Sequence, residues 1–123
     1  MNQHRPKNLN LFTIHFPLPA IISILHRISG VILFFMIPII LWILDYSLTF
    51  PGYENIQEWL GTSIFKLFLW AMLIPFCYHL VAGLRHLFSD IHIGDSLKAG
   101  KLSSQLVLVV SILLVILAGV WIW

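Results

Sequence analysis

From Leu106 to Trp123 the chain reads LVLVVSILLVILAGVWIW, eighteen residues without an ionisable side chain. A helix crossing a ~30 Å hydrocarbon layer at ~1.5 Å rise per residue needs a run of this length and character. Two further runs resemble it. Ile21 to Leu44 is interrupted only by His26 and Arg27 among ionisable residues, and Leu67 to Phe88 contains His79, Arg85 and His86. None alternates with period two, so strands are not expected. Pro38 and Pro75 fall inside runs, where neighbouring helices satisfy the freed carbonyls, and they predict kinks rather than breaks. The expected fold is an all-α membrane protein: one anchor domain over residues 1–123, with three transmembrane helices at about 21–48, 64–88 and 103–123 and an N-terminal segment 1–20.

Composition points the same way. Of 123 residues, 59% are hydrophobic and 10% are charged, with a mean hydropathy of +0.94, whereas a soluble domain carries about 25% charged residues. A soluble fold this small has too much surface to hide so many apolar side chains. An ordinary soluble enzyme, a disordered tail and a nucleic-acid module are thereby excluded. The net charge of +2 argues for no anionic partner, and the single cysteine, Cys77, inside an apolar run, allows neither a disulfide framework nor a multi-cysteine iron–sulfur site. No signal peptide is expected, because the opening residues are mostly polar and no short apolar core with a small-residue cleavage site follows.

The cations set an orientation. Arg5, Lys7, Arg27, Arg85, Lys98 and Lys101 fall on the side of the N-terminus and the second loop, and Lys66 alone on the other. The positive-inside rule then places the N-terminus in the cytoplasm. Trp42, Trp59, Trp70, Trp121 and Trp123 map to the outer half, as an interfacial belt requires. The loop from Asp45 to Ser63, carrying Tyr46, Tyr53 and Trp59, reads as a surface segment against the headgroups.

Ionisable groups within spans are costly and mark candidate sites. At 100° per residue, Ser23, His26, Arg27 and Gly30 share one arc of the first helix, and His79, Gly83, His86 and Asp90 one stripe of the second. Lipid would penalise either stripe, so the two are expected to face each other. His79 lies near the midplane, where an imidazole needs a partner: an interhelical hydrogen bond, a proton path or a metal each provides one. Gly83 and Ala82 leave a notch beside it in which a flat macrocycle could lie, with the imidazole as axial iron ligand. Arg85 and His86 lie about 9–10 Å nearer the cytoplasm, a depth suited to haem propionates; a snorkelling role for Arg85 is the alternative. Ser23, His26 and Arg27 together suit the carbonyl and ring of a quinone, or form a helix start placed by positive-inside charge. His4, His15 and His92 are expected at the surface, and Ser111 to bond back to its own helix.

These residues carry a resemblance. Arg5-Pro6 followed by Ser23-Ile24-Leu25-His26-Arg27-Ile28-Ser29-Gly30, and then His79-Leu80-Val81-Ala82-Gly83-Leu84-Arg85-His86-Leu87-Phe88-Ser89-Asp90, resemble the two signatures of the cytochrome b subunits of succinate dehydrogenase. Length, span number and the late Ala99-Gly100-Lys101 fit as well. Ser89 and His92 depart from the pattern, at the cytoplasmic helix end.

The resemblance implies a membrane anchor of respiratory complex II in a bacterial cytoplasmic (inner) membrane. A flavoprotein subunit with FAD would oxidise succinate, an iron–sulfur subunit would relay the electrons, and the anchor would supply a quinone site and part of a haem b site. Carried over, His79 is the axial ligand of the haem iron, Ser23 and Arg27 are quinone-site residues, and His26, Arg27, Arg85 and His86 are candidates for the propionates. His26 is expected about 8 Å shallower than His79, and His86 shares its helix, so the second axial ligand is expected from another small anchor subunit. The rivals are a haem-free structural anchor, the anchor of a fumarate reductase-type complex, and a proton-coupled transporter subunit with His79 as relay.

Overall fold

The computed structural model describes Asn10 and residues 13–94 and 96–123. His4, Arg5, Pro6, Lys7 and most of the N-terminal segment lie outside the described residues. Four helices follow one another: α1 (Leu18–Ser47), α2 (Phe50–Leu60), α3 (Ser63–Asp90) and α4 (Leu97–Ile122), with no strand among the described residues. The three long, apolar helices α1, α3 and α4 are each able to cross a membrane. At ~1.5 Å per residue they measure about 39–45 Å, enough for the hydrocarbon core and much of both headgroup layers.

Local chemistry fixes the helix ends. Pro19 stands in the first turn of α1, where its missing N–H costs nothing. The helix therefore begins before the apolar run does. Thr49, Thr62 and Ser96 cap α2, α3 and α4 by accepting from the backbone N–H groups of Gly52, Phe65 and Ala99. The expected outer loop thus contains a helix, α2, whose start is written in Thr49-Phe50-Pro51-Gly52: a cap, then proline in the first turn. Gly52 is required there, because a Cβ would collide with the carbonyl oxygen of Tyr46. Gly94 (φ 82°) and His92 (φ 60°) turn the chain between α3 and α4.

α3 packs against both α1 and α4, and α2 closes one end. One small core forms where the three long helices meet: Ile22, Ala82 and Val107, with Tyr78, Val81 and Leu108 against it. Tyr78 donates to the carbonyl of Ile22 at 2.9 Å, tying α3 to α1. At the other end Trp70 Nε1 donates to the carbonyl of Val115 at 2.8 Å, and Gly119 leaves room for the indole. Trp42, Tyr46 and Trp59 stack in series at 5.9 Å spacings. Most other large apolar side chains point outward. Ser111 differs from expectation: its buried hydroxyl makes no hydrogen bond among the described residues, whereas Ser104 bonds back to Gly100 at 2.7 Å.

Candidate functional site

The polar stripes of α1 and α3 do meet. Gly30 on α1 lies opposite His79, where a Cβ would come 3.1 Å from its Cε1. Gly83 on α3 lies opposite His26, where a Cβ would come 3.3 Å from its Nε2. Each glycine makes room for the other helix's imidazole. The rings of His26 and His79 stack with centroids 4.1 Å apart and planes 15° apart, and His86 approaches His26 at 4.9 Å.

Two expectations are corrected here. His26 is not separated in depth from His79, because α1 starts at Leu18 and the glycine pair lets the rings interleave. Nor is there an open notch for a macrocycle at Gly83 and Ala82: His26 occupies the space at Gly83, and Ala82 is wholly buried in the core.

His79 is held from one side. Its Nδ1 lies 2.9 Å from Ser29 Oγ and 3.2 Å from the carbonyl oxygen of His26, and Ser29 Oγ donates to that carbonyl at 2.7 Å. A carbonyl only accepts, so the proton of this imidazole belongs on Nδ1. Nε2 then carries the free lone pair; it makes no hydrogen bond among the described residues and is not sealed in. By contrast, His26 Nε2 and His86 Nε2 are buried and make no hydrogen bond among the described residues.

The cations divide. Arg85 is turned away from the imidazoles toward α4: its Nε donates to Ser103 Oγ at 3.0 Å and its Nη2 to the Gly100 carbonyl at 3.4 Å. It lines a groove of about 560 Å³ between α3 and α4 with Leu84, Phe88, Leu102 and Leu106. The expectation grouped Arg85 with His86 by depth and by the resemblance, with snorkelling as the alternative. One residue along a helix is a ~100° turn, enough to aim the two side chains at different neighbours. Arg27 is exposed and Ser23 half-buried, one turn apart on α1, and neither makes a side-chain hydrogen bond among the described residues. His15 and His92 are exposed, as expected.

The sequence model of a family described as succinate dehydrogenase/fumarate reductase transmembrane subunit matches residues 1–118. The chain belongs to that family. It is similar over its whole length to the succinate dehydrogenase cytochrome b556 subunit of Coxiella burnetii, at 42% identity covering all of both chains. The corresponding subunit of Rickettsia prowazekii is 42% identical over 94% of this chain and 91% of its own. That of Paracoccus denitrificans is 37% identical over 93% and 88%. As a succinate dehydrogenase-type membrane subunit the chain is a multi-pass membrane protein, and α1, α3 and α4 are the helices long and apolar enough to cross the membrane.

Ser29 stands in the first of the two signatures, but no role was expected for it. Its hydroxyl is the nearest side-chain partner of His79, yet Ser29 falls about 60° outside the arc of Ser23, His26, Arg27 and Gly30. The available signal was its place three residues after His26, from which a serine reaches back to the helix carbonyl.

Proposed function

We propose that this chain is the haem b-binding anchor of a succinate:quinone oxidoreductase in a bacterial cytoplasmic membrane, with its N-terminus in the cytoplasm. One observation carries the reading: His79 is tied through Nδ1–H to α1 while its Nε2 lone pair is free. Metal-ligating histidines are built this way, with the second ring nitrogen donating to a carbonyl or hydroxyl that fixes tautomer and orientation. The relatives' printed name, cytochrome b556, supports the same group, and their naming for succinate dehydrogenase favours succinate oxidation over fumarate reduction.

His79 would hold the iron through Nε2. The ring of His26 lies flat on that of His79, so His26 would not share the iron with it, and a second anchor subunit would supply the other ligand. His26 and His86, whose Nε2 atoms make no hydrogen bond among the described residues, and the exposed Arg27 would hold the propionate carboxylates; Arg85, engaged by α4, is the poorest candidate of the four. When bound, the haem supplies a one-electron store beside the route from the iron–sulfur subunit to quinone. Ser23 donates to a quinone oxygen, Arg27 stabilises the negative charge that develops there, and cytoplasmic water delivers the protons. FAD and the iron–sulfur clusters belong to the partner subunits.

The test is a reduced-minus-oxidised visible spectrum of the assembled complex, wild type against His79→Ala. Sharp b-type bands that vanish or broaden in the variant support the ligand. Unchanged bands remove His79 from the iron, and a flat wild-type spectrum with the complex intact leaves a haem-free anchor.

A further inference from the structure

Ser29 is 5% exposed, on the buried side of α1, and its hydroxyl is committed in two directions. Its proton goes to the carbonyl of His26 at 2.7 Å, since that oxygen can only accept. Its lone pairs are left to accept Nδ1–H of His79 at 2.9 Å, a better distance than the 3.2 Å to the carbonyl itself. The three contacts close in a single proton arrangement, with Nδ1 protonated and Nε2 bare. Gly30, the next residue, makes the arrangement reachable, because a Cβ there would press on His79 Cε1.

We infer that Ser29 is a positioning residue for the metal ligand: through Nδ1–H···Oγ it holds one tautomer of His79 and raises the electron-donating strength of Nε2. This rests on His79 as the iron ligand. A hydrogen bond accepted from Nδ1–H gives the imidazole partial imidazolate character, which favours the more positive, ferric ion and lowers the reduction potential. Losing it moves the potential upward. The carbonyl of His26 stays as a second acceptor, so the ligand is weakened rather than lost.

The experiment uses the assembled complex in mild detergent with Ser29→Ala, Ser29→Thr and Ser29→Cys beside His79→Ala. It measures haem content, midpoint potential by redox titration and the low-spin ferric electron paramagnetic resonance spectrum. Ser29→Ala is expected to keep its haem and to shift the reduction equilibrium toward the ferrous form by up to about tenfold, which is ~59 mV for one electron. Its resonance positions shift with it. Ser29→Thr, which keeps the hydroxyl, restores both readouts, and Ser29→Cys, a weaker acceptor, falls between. Should Ser29→Ala lose its haem, the cysteine variant decides: an intermediate potential supports the role, and a wild-type potential overturns it. Haem bands that depend on His79 while Ser29→Ala leaves potential and resonance unchanged overturn the inference alone. Bands that survive His79→Ala overturn the ligand assignment and the inference together.

Discussion

The reciprocal pairing of Gly30 with His79 and Gly83 with His26 ties the chemistry of the site to the closeness of two helices. Gly30→Ala puts a methyl 3.1 Å from His79 Cε1, so the imidazole must shift and its bond to Ser29 lengthens. We expect reduced haem content and a loss of about 1–3 kcal/mol in stability, the usual cost of overpacking; haem-to-protein ratio and thermal unfolding in detergent measure both. Gly83→Ala, 3.3 Å from His26 Nε2, is expected to perturb less. At the proposed quinone-site residues, Arg27→Leu should lower quinone reduction by about 10²-fold while succinate oxidation by an artificial acceptor persists. Equal loss of the two activities would remove the quinone site from α1. At this scale the sequence singled out His26, His79 and His86, which meet between α1 and α3, because an ionisable group in an apolar run is conspicuous. It did not yield Ser29 or the stacking of His26 on His79. Both depend on a close helix approach that appears in neither helix's own periodicity.

Each helix start is set by a few residues whose worth can be measured separately. Ser96 caps α4 through the Ala99 N–H at 3.1 Å, and Ser96→Ala should cost about 1 kcal/mol. Hydrogen exchange should show that loss concentrated in the first turn of α4. Exchange spread evenly over the bundle would mean that the cap does not act locally. Trp70 ties the α3–α4 pair by an interhelical hydrogen bond inside the apolar layer, and Trp70→Phe should cost about 0.5–1.5 kcal/mol in thermal unfolding. The three long helices were legible because their apolar runs exceed any soluble requirement, and they run past those runs because proline and the caps, not hydrophobicity, decide where they begin. α2 was hidden by its mixed composition, although Thr49 and Pro51 mark its start. Arg85 lies ~100° of helix turn from His86, off the polar stripe, and that turn points it at Ser103 rather than at the imidazoles.

The whole molecule has a surface that only lipid and protein partners can cover. It exposes 9837 Å², against about 6,800 Å² for a compact soluble protein of 14.2 kDa, and large apolar side chains such as Phe34, Phe35, Leu117 and Trp121 on α1 and α4 stand more than 60% exposed. The isolated chain is therefore expected to bind haem poorly even when folded, and to hold it stably when co-produced with a second anchor subunit; pyridine haemochrome content of the two preparations measures the difference. Composition made the membrane legible at once, while the partner subunits entered only through the resemblance carried by the two signatures. The most direct measurement exchanges the ligand atom rather than deleting it: His79→Met in the assembled complex, followed by redox titration and visible spectroscopy. If His79 Nε2 holds the iron, a thioether in its place should give a raised midpoint potential and a new sulfur–iron absorption band, as histidine–methionine ligation does. A haem that keeps the wild-type potential and spectrum in His79→Met would contradict the assignment.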